Sequence, residues 1–159
     1  MRYASRSQVD ILTALVTVAG VIGLDRFTKT FFTNLLAIGE SLPIIPNVLD
    51  MTLVHNTGIA FGLFKDQGIV FIIIPVIACI LLIFNIFYYQ NNKDLSRIYI
   101  FGFALILGGA IGNLVDRIRF GYVIDFIDFH VWPVFNVADS AITVGAVIIA
   151  TKCILLSTK

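Results

Sequence analysis

The chain has 159 residues, of which 58% are hydrophobic and 13% charged, with a formal net charge of +1 and a mean hydropathy of +0.96. A soluble domain of this size could not cover so much apolar side chain with its polar surface, so the composition points to a membrane-embedded protein. The near-zero charge offers no basic surface for nucleic acid, and Cys79 and Cys153, both in apolar runs without ligand spacing, suggest neither a disulfide framework nor a zinc site.

A bilayer crossing needs about 20 mostly apolar residues, because each backbone polar group must be bonded within the helix. The first apolar run, 9–24, is short but continues through "DRFTKTFF" as an amphipathic turn or two, giving a span over 9–28. Arg2 and Arg6 precede it as in a signal peptide, yet no small-x-small cleavage site follows, so the run reads as a retained span. The longest non-spanning segment then covers about 33–67. In it "SLPIIPN" has the prolines of a turn, "LDMTLVHN" alternates as a half-buried strand does, and "TGIAFGLF" is the length of a short interfacial helix or reentrant piece.

The second span, 69–89, is interrupted only by Pro75 and Asn85. The third, 98–115, carries Gly102, Gly108, Gly109 and Gly112, which let helices approach closely. The fourth, 136–156, has Lys152 near its end, able to snorkel to the headgroups. Residues 1–159 thus read as a single integral membrane domain. Four spans leave both termini on one side, and Lys/Arg density in the short tails and the "QNNKDLSR" loop (Arg2, Arg6, Lys93, Arg97, Lys152, Lys159) favours the cytoplasm for them. Arg26, Lys29, Lys65, Arg117 and Arg119 are spread over the two longer connections opposite.

Helix direction then fixes the depth of each polar residue. Asp25, Asn113 and Asp116 fall at the outer ends of the first and third spans, Asn136 and Asp139 at the outer start of the fourth, and Asn56 and Asp125 in the outer connections. Every carboxylate or carboxamide lodged in apolar sequence, apart from Asp10 and Asn85, therefore collects on one side. Several have structural explanations. Asp25 is spaced to pair with Lys29 one turn on, Asp116 stands beside Arg117, and Asn136 is placed to cap the fourth helix or to donate within a site. His55 and His130 read as interfacial hydrogen-bonding residues, and Phe129, Trp132 and Phe135 as an aromatic belt. Asp125 and Asp139 have no basic residue within four positions and are bracketed by apolar neighbours, which makes them functional candidates. Two carboxyls brought together titrate as a unit, one keeping its proton, and such a pair can activate water and protonate a leaving amine.

Five motifs, "DRFTK" (25–29), "NTGIAFG" (56–62), "GGAIGNLVDR" (108–117), "VIDFI" (123–127) and "FNVADS" (135–140), in this order between four spans, resemble those of the lipoprotein signal peptidases, or signal peptidase II, over essentially the whole chain. The resemblance implies an aspartic endopeptidase of the bacterial plasma (inner) membrane. It would have four transmembrane helices, both termini in the cytoplasm, and a small extracytoplasmic β-sheet with a short interfacial helix between the first two spans. It further implies membrane lipids around the protein and prolipoprotein substrates, cut just before a diacylglyceryl-modified cysteine. Inhibition by the cyclic peptide globomycin is expected, and no metal or other cofactor is required. By motif, Asp125 and Asp139 match the catalytic pair, while Asp25, Lys29, Asn56, Gly108, Asn113, Asp116, Arg117, Asn136 and Ala138 match positions that bind substrate or shape the site.

The chain departs from the family pattern at Ile59, where many members have alanine, and in its short connection from Asp125 to Asp139, which carries an additional Asp128. The alternative readings are a proton-coupled transporter or channel, for which no internal repeat is visible, a Ser/Lys protease using Ser140 with Lys29, and a non-enzymatic anchoring or assembly protein, which leaves the clustered acids unexplained.

Overall fold

A computed structural model describes residues 6–58, 69–91 and 97–157. The element order is α1 (Arg6–Leu35), β1 (Ser41–Ile45), β2 (Leu49–Asn56), α2 (Val70–Asn91), α3 (Arg97–Phe120), β3 (Val123–Asp128) and α4 (Val137–Ser157). All four helices are long and apolar enough to cross a membrane; α1 and α3 contain the spans expected from sequence, and α2 and α4 begin one residue later than expected. The expected interfacial helix at "TGIAFGLF", with Ile59 and Lys65, lies outside the described residues.

The bundle is organised around α3, which packs against the other three helices, while α1 and α2 touch only lightly. Small residues make this possible. A Cβ on Gly108 would come within 2.8 Å of Val21 Cβ on α1, and one on Gly109 would collide with the Ala138 carbonyl on α4. The buried apolar cluster is correspondingly small-featured, with Ala14, Cys79, Ile100, Ala104 and Leu107 among its members. Large apolar side chains such as Leu15, Ile74, Phe84 and Val147 point outward instead, as a bundle solvated by lipid requires. Asn85 also faces outward but donates to the Leu81 carbonyl one turn back, at 2.8 Å, so its amide is satisfied within its own helix.

The sheet holds a strand that the sequence reading treated as a plain connection. β1 and β2 form an antiparallel pair, and β3, arriving after α3, joins β2 antiparallel to give the order β1-β2-β3. Gly121, at φ +80, ends α3 with its N–H on the Arg117 carbonyl and turns the chain into β3 within two residues. Burial of Ile124 with Leu53 and Leu36, and stacking of Phe126 on Phe32 at 4.5 Å, fasten β3 between the sheet and the end of α1. This placement brings Asp125 to the helix ends that carry the other polar groups.

Candidate active site

Four elements deliver the buried polar residues to the sheet end of the bundle: the last third of α1, the end of α3, β3 and the first turn of α4. Lys29 is the hub. Its side chain is 0% exposed, and Nζ lies 2.9 Å from Asp25 Oδ2, 2.8 Å from Asp116 Oδ2 and 3.0 Å from Asn113 Oδ1. Arg26 also pairs with Asp116, through Oδ1. Arg26 and Lys29 are three apart on α1 and so lie on one face, whereas consecutive residues diverge around a helix. The expected pairing of Asp116 with its neighbour Arg117 is accordingly incorrect. Arg117 makes no side-chain ion pair or hydrogen bond among the described residues. The expected Asp25–Lys29 pair is present. Two cations thus meet two carboxylates, and this part of the cluster is neutral.

The same carboxylates tie the elements together. Asp25 Oδ1 accepts the Ala138 N–H at 3.1 Å, anchoring α1 to the N-terminus of α4, where a negative charge is favoured by the helix dipole. Asp116 Oδ2 accepts the Ile124 N–H at 3.3 Å and holds β3. Ala138 is fully buried beside Gly109 and Gly112, and a Cβ on Gly112 would press to 2.8 Å from Asp25 Oδ2. Larger side chains here would push the pair apart.

Asp125 and Asp139 are held in a different way, by amides alone. Asn136 Nδ2 donates to Asp125 Oδ1 at 2.6 Å, and Asn56 Nδ2 donates to Asp125 Oδ2 at 2.8 Å. Asn113 Nδ2 donates to Asp139 Oδ1 at 2.7 Å, and the Asn136 backbone N–H approaches Asp139 Oδ2 at 3.3 Å. Each amide is oriented by its other end. Asn113 Oδ1 accepts from Lys29 and Asn136, Asn136 Oδ1 accepts the Asp139 N–H at 2.9 Å, and Asn56 Oδ1 accepts the Gly58 N–H at 2.9 Å. The NH2 groups must therefore face the carboxyls. Asn136 fulfils both roles considered for it: it caps α4 in a reciprocal arrangement with Asp139, and it joins the two carboxyls.

Burial lifts the Asp125 pKa from its ordinary 3.8 to about 6. The donors Asn56 and Asn136 oppose the rise and the charge of nearby Asp139 adds to it. Asp128 behaves oppositely. It accepts the His130 N–H at 2.8 Å and the Thr52 hydroxyl at 3.0 Å, and these bonds, the first foremost, hold its pKa below the usual carboxylate value. Its oxygens are thus committed to β2 and the loop that follows β3. The His130 ring lies between Asp50 and Asp128, Nε2 3.4 Å from Asp50 Oδ2 and Nδ1 3.7 Å from Asp128 Oδ1. His55, expected from sequence to hydrogen-bond, stacks on Tyr122, ring centroids 3.9 Å apart. Ser140 donates its hydroxyl to the Asn136 carbonyl, at 2.9 Å, and Lys29 is occupied elsewhere, so the geometry gives no Ser/Lys pair.

Sequence reasoning missed Arg26, whose i,i+3 relation to Lys29 was the available signal, and the contacts of Asp50 and Thr52, which depend on strand register. Clefts open on both carboxyls. One of about 730 Å³ runs past Asp139 and the start of α4, and another of about 570 Å³ lies against Asp125 and Asn56. Among the described residues no group of three or more His, Cys, Asp or Glu side chains is arranged to hold a metal ion.

A family model described as signal peptidase (SPase) II, peptidase family A8, matches residues 17–155. A lipoprotein signal peptidase of Caldanaerobacter subterraneus subsp. tengcongensis is 47% identical over 137 residues, covering 86% of this chain and 92% of the relative. That of Halothermothrix orenii is 42% identical over 134 residues, covering 84% and 90%. A solved structure described as a bacterial membrane enzyme, obtained by the in meso method at 2.3 Å resolution, superposes with a TM-score of 0.81 at 31% identity, over 94% of this chain and 91% of the other.

Proposed function

The chain belongs to the lipoprotein signal peptidase (signal peptidase II) family of membrane aspartic peptidases, and from that premise we propose that Asp125 and Asp139 are its catalytic pair and cut diacylglyceryl-modified prolipoproteins just before the lipidated cysteine. Four membrane-spanning helices and the sheet act as one peptidase unit, with the site at the extracytoplasmic face and the termini in the cytoplasm.

The observation that carries the reading is the contrast in partners: among the described residues the buried Lys29 and its neighbour Arg26 pair with Asp25 and Asp116, and Asp125 and Asp139 take their hydrogen bonds from neutral amide donors. Asp139, in the first turn of α4, acts as the base. Asp125, buried on β3, keeps the proton. Asp139 takes a proton from water as the water oxygen attacks the scissile carbonyl, and Asp125 donates a hydrogen bond to that carbonyl oxygen. The C–N bond then breaks as a proton passes to the departing amine of the lipidated cysteine, leaving a carboxyl on the signal peptide. Asn56, Asn113 and Asn136 hold the carboxyls in register, and Asp25, Lys29, Asp116, Gly108 and Ala138 hold the elements that carry them. Globomycin, as a cyclic peptide, would compete for the same clefts.

The test is cleavage of a diacylglyceryl prolipoprotein peptide in detergent. D125N and D139N should each lower the rate by about 10³-fold or more, and D128N should stay active. Wild-type rates from either of the first two, in folded protein, would remove the assignment.

A further inference from the structure

Between β3 and α4 the chain forms a closed loop. Its ends meet where Ile127 bridges Phe135: the Phe135 N–H donates to the Ile127 carbonyl at 3.0 Å and the Ile127 N–H to the Phe135 carbonyl at 2.8 Å. Asn136 follows immediately, the residue that contacts both Asp125 and Asp139. The loop is also fastened to the sheet at a second point. Asp128 accepts the His130 N–H and the Thr52 hydroxyl, and the His130 ring lies between two carboxylates, with Nε2 3.4 Å from Asp50 Oδ2 and Nδ1 3.7 Å from Asp128 Oδ1. Asp50 and Asp128 are themselves cross-strand partners on β2 and β3. His130 takes φ 62, a left-handed conformation that residues with side chains rarely adopt, and these contacts hold it there.

Residues of this one loop line two different clefts. Phe129, Val131 and Trp132 wall the larger, whose opposite side includes Asp139 and Val144. Pro133 and Val134 wall the smaller, together with Asn56 and Asp125. The loop therefore stands between two clefts, each of which opens on one member of the proposed pair. Val131 and Trp132, 91% and 69% exposed, present apolar surface at the mouth of the larger cleft that lipid or an acyl chain would cover.

Building on the peptidase reading, we propose that the Asp50–His130–Asp128 clasp is a positioning device: it sets the loop as the partition of the substrate cleft and so governs how tightly the acyl chains of the lipidated cysteine are held. Asp128, the acid nearest in sequence to Asp125, then contributes to affinity and has no part in bond making.

The test uses the full-length enzyme in detergent, with diacylglyceryl prolipoprotein peptides carrying long or short acyl chains. D128A should raise KM for the long-chain substrate by about fivefold or more with kcat within about twofold, and leave KM for the short-chain substrate little changed. D128N, whose Oδ1 can still accept the His130 N–H, should recover most of the affinity. H130N, which tolerates the left-handed backbone but withdraws the ring from Asp50, should raise KM in the same direction, and carries the test alone if D128A does not fold. Unchanged KM in D128A and H130N would overturn the inference, as would equal KM rises for both chain lengths or a fall of kcat to the level of D139N. A D139N control that cleaves normally would instead defeat the peptidase reading itself.

Discussion

Asp25 and Asp116 are buried as completely as Asp125, at the same end of the same bundle, but the surroundings of these acids differ. Asp25 and Asp116 are matched by Lys29 and Arg26 and bind backbone N–H groups of α4 and β3. Among the described residues, Asp125 and Asp139 receive only amide N–H donors, from Asn56, Asn113 and Asn136. A buried carboxylate with a matched cation is a fastener, because its charge is fixed and its oxygens are used. One held by neutral donors keeps an adjustable proton, which is what acid–base chemistry requires. Under the proposed assignment, depth alone does not separate structural from catalytic acids in a membrane site; the partner does.

The largest effect should come from breaking the fastened pair. K29M leaves Asp25 and Asp116 buried with one cation between them and should cost about 3–5 kcal/mol, seen as loss of folded, monodisperse protein in detergent. D116N should be destabilising for the converse reason, leaving Arg26 without its carboxylate and Lys29 with Asp25 alone. The same Asp→Asn change at Asp125 should act with the opposite sign. The folded-state pKa of Asp125 lies above its unfolded value, so the native state holds the proton more tightly between pH 3.8 and about 6. The resulting penalty on stability is absent below that window, grows through it, and is complete above about 6. D125N removes the penalty but turns one acceptor toward the NH2 of Asn56 or Asn136, so the roughly 3 kcal/mol of linkage should appear as a net gain of up to about 2 kcal/mol at pH 8, lost near pH 4.

A smaller effect should appear in the pH profile. With Asp125 as the protonated partner, kcat/KM falls as pH rises through the apparent upper pKa of the coupled pair. Asn136 donates to Asp125 and holds its pKa down, so N136A should move that limb to higher pH and lower the activity, besides costing about 1 kcal/mol for the lost cap. The smallest effect is expected at the other end of the bundle. Asp10 pairs there with Arg97 Nε at 2.9 Å, but Arg97 is 58% exposed. D10N should cost about 1 kcal/mol or less and leave cleavage unchanged. A kinetic defect in D10N would contradict the division of labour between the two ends.

Much of this was legible in the sequence, for identifiable reasons. The four spans follow from length and apolarity, and the gathering of polar residues at one end follows from helix direction alone. The Asp25–Lys29 pair was readable because both residues lie on one helix, one turn apart. The partner of Asp116 was not, because ion pairing between α1 and α3 depends on how the helices are rotated against each other, and sequence adjacency suggested Arg117. β3 was missed because "VIDFID" is a short apolar run whose strand conformation depends on pairing with β2, a partner about 70 residues earlier. The clasp around His130 was hidden for the same reason, since it joins residues from two strands and a loop. Selection of Asp125 over Asp128 came from motif resemblance, and the structure adds a physical basis in the bonds that commit Asp128 to Thr52 and His130.

The central claim is that Asp125 is a buried acid retained for its proton at a cost in stability. Its most direct test is to measure thermal unfolding at pH 8 and prolipoprotein peptide cleavage near pH 6 on the same D125N and wild-type samples. The account predicts a protein that melts higher than wild type and does not cleave. A variant that melts lower and still cleaves at the wild-type rate would contradict it, placing Asp125 with the fasteners and the chemistry elsewhere.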